Sequence, residues 1–246
     1  MLDTLFERFD SLLVLDTETT GFTPRRDEVT ELAMLRLTPD GAEEEYDEFI
    51  RLSPGKELPA RITELTGITE DMLRLGVSKA SAARALADML GKGERTLVCA
   101  YNAQFDLVFL YYLLDAYGLA GSLKGAKFLD AMTVYRDRRP YPHRLADAVA
   151  AYSLSTQNTH RAIDDTRATC ELLCAMDAEE SDLSRYVNLF GYNARYGAPR
   201  PPISSVSYRP QGFDAAGKLY DTAAAPQGAQ NRDTAAQKGY FRAGPR

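Results

Sequence analysis

The stretch Ser11-Leu12-Leu13-Val14-Leu15-Asp16 restricts the fold more than any other part of the chain. A strand with one face in water alternates apolar and polar residues, whereas an unbroken apolar run of this length suits a strand covered on both faces. That predicts a central strand with helices on either side. Thr96–Ala100 is a second run of the same kind. Two further strands are expected at Val29–Leu37 and Tyr46–Arg51, joined by the turn-forming Thr38-Pro39-Asp40-Gly41, and a short one near Lys127–Leu129. Helical patterns occupy 57–65, 69–75, 78–90, 130–136, 143–152 and 162–178. Another helix carries Phe105, Val108, Phe109, Tyr112 and Leu113 along one side. Three early strands in meander order, followed by strands separated by helices, predict an α/β domain: a mixed five-stranded sheet flanked by helices.

Composition bounds the rest. The chain has 246 residues, 45% of them hydrophobic and 26% charged, enough to build a soluble core. Its apolar runs are too short to span a bilayer, and Met1-Leu2-Asp3-Thr4 does not open a secretory leader. Three cysteines, with Cys170 and Cys174 one helical turn apart, read as thiols of a reducing cytoplasm. The expectation is a cytoplasmic protein with no membrane contact. Net charge is −6, which on average argues against a nucleic-acid binder. The average conceals a division. Residues 193–246 hold six of the twelve prolines, and eight basic residues against three acids give them a charge of +5. Residues 1–192 are correspondingly acidic and form the expected domain; 193–246 read as an extended or disordered basic tail.

Three segments carry the chemistry. In Asp16-Thr17-Glu18-Thr19-Thr20-Gly21, strand alternation sends Asp16 and Glu18 to one face. Two such carboxylates repel unless protonated or neutralised, and oxygen donors suit a hard cation such as Mg²⁺ or Mn²⁺. Tyr101-Asn102-Ala103-Gln104-Phe105-Asp106 follows a buried strand, with Asn102 as a favoured N-cap type and Asp106 in the first helical turn. His160-Arg161-Ala162-Ile163-Asp164-Asp165 precedes the late helix. Singly, each also reads blandly: surface acids before a turn, an ordinary capped helix, a surface histidine. Jointly they can converge at one sheet edge with the inventory for two metal ions and a general base.

The motifs Asp-Thr-Glu-Thr-Thr-Gly, Asn-Ala-x-Phe-Asp and His-Arg-Ala-x-Asp-Asp, in this order, resemble those of the DEDDh 3′–5′ exonucleases, a group that includes the epsilon proofreading subunit of bacterial DNA polymerase III. The resemblance covers residues about 10–178, including Leu65-Thr66-Gly67-Ile68. It implies an RNase H-like fold and stepwise release of nucleoside 5′-monophosphates from a 3′ end. It further implies Asp16, Glu18, Asp106 and Asp165 as ligands of two Mg²⁺ or Mn²⁺ ions, with His160 as general base. The motif spacing selects Asp165 over Asp164. Tyr101 departs from the pattern, where many members have His.

The resemblance also brings Thr19, Ile68, Asn102 and Phe105 toward the terminal nucleotide. Phe22, after the Thr-Thr-Gly turn, is either a stacking wedge or a core residue, and Phe105 begins the apolar stripe of its helix. Tyr135–Arg144 is the densest basic and aromatic stretch, either a solvated loop or a phosphate contact, and His143 belongs with it. The expected substrate is a single-stranded or frayed DNA 3′ end. The alternatives are an RNA-trimming enzyme of the same group, a proofreading module bound to a DNA polymerase, and a non-catalytic binding relative.

Overall fold

The computed structural model describes residues 2–156, 159–215 and 217–222. Its main sheet is built from β1 (Ser11–Thr19), β2 (Val29–Leu37), β3 (Glu43–Phe49), β4 (Thr96–Ala100) and β5 (Lys127–Asp130), in the order β3-β2-β1-β4-β5. β1 and β2, and β2 and β3, are antiparallel, while β1, β4 and β5 are parallel. The helices in chain order are α1 (Asp3–Phe6), α2 (Ala60–Thr66), α3 (Glu70–Leu75), α4 (Lys79–Gly91), α5 (Ala103–Asp115), α6 (Ala131–Arg138), α7 (Leu145–Tyr152) and α8 (Ala162–Glu179). The expected mixed five-stranded, RNase H-like sheet is present.

β1 is covered on both faces, as its unbroken apolar run requires. Leu13 and Leu15 join a cluster with Leu86 of α4 and Phe109 and Leu110 of α5. Leu12 and Val14 point the other way, into a cluster with Ala168, Leu172 and Leu173 of α8. The helices thus lie on the side dictated by the parity of the strand position. β3 starts earlier than expected because Glu43-Glu44-Glu45 belong to it. It is one of the two edge strands, where exposed carboxylates discourage pairing with another chain.

Helix α1 and two strands lie outside the sequence expectation. β6 (Leu189–Tyr192) and β7 (Ser207–Pro210) form a small parallel sheet. The chain after Tyr192 is extended, but it is docked on the body as far as it is described. Ile203, Val206 and Leu219 are buried. Gln104 donates through Nε2 to the carbonyl of Pro201 at 2.7 Å, and Tyr208 donates its hydroxyl to Gln104 Oε1 at 2.5 Å. These anchors are isolated apolar residues among prolines, so no periodicity announces them. Residues 223–246 of the expected tail lie outside the described residues. Among the described residues no helix is long and apolar enough to cross a membrane.

Candidate active site

β1 outruns its parallel neighbour. Its pairing with β4 ends at Val14–Cys99, so the backbone of Thr17 has no strand partner on that side. Asp106 fills the gap from the first turn of α5. Its Oδ1 accepts from the Thr17 amide at 3.0 Å and from the Thr17 hydroxyl at 2.7 Å. On the other side β1 pairs with β2 as far as Glu18–Glu31, and a bulge follows before Thr19–Val29. Bulges of this kind re-aim side chains and gather near active sites. Asp16 and Glu18 leave β1 on the face covered by α8, and Glu31 stands directly across from Glu18 on that face.

α8 brings the remaining groups. Asp165, in its first turn, is buried, and Glu18, His160 and Asp165 each offer a ligand atom within 4.8 Å of one another. Asp164 is drawn away by the Thr159 hydroxyl, which donates to its Oδ2 at 2.6 Å. His160 is exposed and adopts a left-handed backbone, φ 59°, an uncommon conformation for a residue with a side chain. What holds it is the next residue: Arg161 is bound bidentately to the fully buried Glu31, whose Oε2 also accepts the Ala162 amide at 3.1 Å. The Arg161 guanidinium also stacks over Phe49, 4.8 Å from the ring centre.

Burial, with repulsion between neighbouring carboxylates, perturbs three of these acids. Burial, then Asp106, Asp165, Glu18 and Glu31, push the Asp16 carboxyl well above the carboxylate range. Burial, then Asp165 and Glu31, raise Glu18 to about 8, against a small opposing pull from Arg161. Burial raises Asp106 despite its bonds to Thr17. Arg161 is committed to Glu31, which leaves Asp16, Glu18, Asp106 and Asp165 in mutual repulsion. Oxygen donors with one imidazole, held together at this cost, fit a hard divalent cation.

The residues expected at the terminal nucleotide fare differently. Phe22 is 77% exposed, which rules out its core reading; its ring meets Phe105 edge-on at 6.3 Å, and Arg61 of α2 lies 5.7 Å from its centre. Glycine at 21 lets the Asp27 carboxylate pack against the turn that presents it: a Cβ there would come within 2.5 Å of that carboxylate and force it to shift. Phe105 is half-buried between the core and Phe22, and its ring centre lies 4.9 Å from that of Phe109. Thr19 is buried and donates to the Gly21 carbonyl at 2.6 Å, fixing the same turn. Ile68 is fully buried with Leu58, Ile62 and Leu73, so its side chain is not at the cleft surface.

Asn102 stands at the N-cap position but does not cap. It adopts φ 68° and makes no side-chain capping bond. Asp130, at the end of β5, accepts the Asn102 and Ala103 amides at 2.9 and 3.1 Å in its place. This corrects the N-cap expectation: a neighbouring strand supplies the acceptor, which local sequence cannot reveal. Tyr101 reaches back to the His143 carbonyl at 2.9 Å, and His143 lies in the loop before α7, as expected.

Sequence reasoning missed Glu31, Asp130 and Glu171. The signal for Glu31 is a glutamate at an otherwise apolar register of β2 (Val29-Thr30-Glu31-Leu32-Ala33). Glu171 of α8 accepts the amides and hydroxyls of Ser155 and Thr156, all at 2.6–3.0 Å, and so ties down the start of the loop that leads to His160.

This sheet, with acids from β1, α5 and α8 meeting at one edge, defines the RNase H-like class of nucleic-acid hydrolases. Residues 13–173 match the RNase T exonuclease family. The chain belongs to that family, in its DEDDh group of 3′–5′ exonucleases, which act on nucleic-acid 3′ ends. It is 31% identical over 172 residues to the DNA polymerase III PolC-type of Thermotoga petrophila, covering 69% of this chain and 12% of that protein. The PolC-type protein of Bacillus subtilis is 31% identical over 201 residues, covering 78% of this chain and 13% of that one. The chain therefore spans about an eighth of these relatives' length. Among solved structures, E. coli exonuclease I bound to single-stranded DNA, in a zinc-containing form, superposes with a TM-score of 0.65 at 19% identity, covering 72% of this chain and 42% of that one. A 3′-exonuclease that recognises a histone mRNA stem-loop gives 0.59 at 15%, covering 71% and 66%. These two likenesses are of fold.

Proposed function

We propose that the chain hydrolyses the terminal phosphodiester bond of single-stranded or frayed DNA 3′ ends, releasing nucleoside 5′-monophosphates. The observation that carries this reading is the convergence of Glu18, His160 and Asp165 within 4.8 Å at the end of the strand that bears Asp16. Asp16, Glu18, Asp106 and Asp165 would hold two divalent ions, Mg²⁺ or Mn²⁺. When bound, these would offset the carboxylates and stabilise charge on the phosphate oxygens. His160, exposed at the mouth, takes the proton from the attacking water, a task for which imidazole suits near neutral pH. The Arg161–Glu31 pair keeps that imidazole beside the acids. Phe22, backed by Phe105 and Arg61, offers its open face to the terminal base, with Thr19 shaping its turn and Asn102 at the N-terminus of α5 as a further contact.

His160→Ala should lower kcat by roughly 10²–10⁴. Full activity in that variant would remove His160 from the role, and metal-dependent cleavage retained by Asp165→Asn would move the site elsewhere. Matched DNA and RNA oligonucleotides under one metal condition decide between DNA and RNA ends. The PolC-type relatives favour a replication setting, in which this chain works beside a DNA polymerase. Co-purification with a polymerase tests that association.

A further inference from the structure

Two concavities beside the site share Arg136, Asn193 and Tyr196 and form one continuous groove. The larger, about 1140 Å³, begins at Asn102 on the N-terminus of α5 and is walled by the docked segment after Tyr192, including Arg200. The smaller, about 490 Å³, runs on past Tyr141 to Phe213. The larger lobe alone exceeds the roughly 300–1,000 Å³ of ordinary small-molecule sites. The walls of the groove carry rings that the core does not use: Tyr196, shared by both lobes, is 80% exposed, and in the smaller lobe Tyr141 is 85% and Phe213 42% exposed. Arg136 spends one bond on a neutral acceptor, the Gly191 carbonyl, and keeps its charge. The carboxylate in the lining is Asp130, which is turned onto the amides of Asn102 and Ala103 and the hydroxyl of Thr133. In a chain of net charge −6, this is a cationic, aromatic channel ending four residues before Asp106.

We infer that this groove carries the single strand upstream of the 3′ terminus, with bases stacked on Tyr196 and Tyr141 and phosphates beside Arg136 and Arg200. Open rings interleaved with arginines suit a strand of any sequence, because every base offers a π-face. The docked C-terminal segment is then a wall of the substrate channel. This rests on the exonuclease reading for the direction of the strand.

The test uses the full chain and a fluorescein-labelled oligodeoxythymidylate of roughly a dozen residues. Anisotropy is measured in EDTA, so that binding is read without turnover. Tyr141→Ala/Tyr196→Ala should bind about tenfold or more weakly, the loss expected when stacked bases lose their platforms. Tyr141→Phe/Tyr196→Phe should bind as the parent does. Arg200→Ala should flatten the dependence of log affinity on log salt by about 0.7, the share of one phosphate contact on a single strand. In turnover, the ratio of kcat/KM for the oligonucleotide to that for an aryl ester of thymidine 5′-monophosphate should fall about tenfold in the alanine pair. Equal affinity of the alanine pair and the parent overturns the groove, as does an equal loss in the phenylalanine pair. A parent that binds through these rings but hydrolyses neither substrate supports the groove and counts against the hydrolytic reading.

Discussion

Arg161 donates to both oxygens of Glu31, at 2.6–3.2 Å, and so fixes the backbone that immediately follows His160. Glu31 is fully buried while Arg161 keeps about a third of its side chain in solvent. Removing the cation strands a buried carboxylate beside Glu18. Arg161→Ala is expected to cost about 2–3 kcal/mol, somewhat below the roughly 3–5 of a fully buried pair, and to lower kcat. Chemical denaturation of Arg161→Ala, Glu31→Gln and the double variant measures the coupling. Strict additivity of the two single changes would show that the pair is not a unit.

The acid cluster should make the metal-free protein less stable as pH rises. Asp16 and Glu18 have folded values above their unfolded ones, so the folded state holds the extra protons. The contribution of Glu18 is favourable below about pH 4 and is lost as pH climbs toward 8, and that of Asp16 is lost in the same direction. Asp16→Asn is therefore expected to raise the Tm of the metal-free protein above pH 7 while abolishing turnover. A Tm equal to or below that of the parent in EDTA would contradict this.

Binding of a divalent ion should release protons at pH 7, because Glu18, pushed up to about 8, must ionise to become a ligand. Calorimetric titration with Mn²⁺ in buffers of different ionisation enthalpy reads the number released. Apparent affinity is expected to increase with pH until about 8 and then level. Heats that do not depend on the buffer would refute the linkage.

Phe22→Ala removes an exposed ring, so Tm should hold. KM for a single-stranded 3′ end should rise several-fold, in keeping with the roughly 1–3 kcal/mol of a stacked base. A fall in Tm with no change in KM would instead make Phe22 a structural residue.

Glu171 is lowered to about 2, chiefly by the amide of Ser155 and the hydroxyl and amide of Thr156. Its stabilising effect is complete above about pH 4 and fades as pH falls toward 2. The site is open to solvent, so Glu171→Gln should cost only about 1 kcal/mol at pH 7, and the gap to the parent should close near pH 2–3. Thermal denaturation across that range checks the convergence.

The five-stranded sheet could be read because β1 and β4 are unbroken apolar runs, and the candidate acids could be picked out because their order and spacing repeat a known pattern. What stayed hidden depends on pairing between distant segments. The face of β2 that meets Glu18 is set by register, so Glu31 reads as one more strand glutamate until β1 and β2 are aligned. Asp130 caps α5 from a strand 28 residues away, where Asn102 had the right chemistry but the wrong backbone. Phe22 shows the converse: its residue type allowed two readings, and only its exposure decides between them.

The docking of the segment after Tyr192 bears on how this enzyme can be cut and transplanted. The family match stops at residue 173, yet Leu219 lies buried against the same cluster as α8, and its amide bonds to the Asp137 carboxylate at 2.6 Å. An excised version ending at 192 would lose that plug and leave Phe190 and its neighbours facing water, inviting aggregation. For grafting onto another scaffold, the excised unit has to include Leu219, because a fusion joint between Tyr192 and Leu219 would remove residues buried in the core.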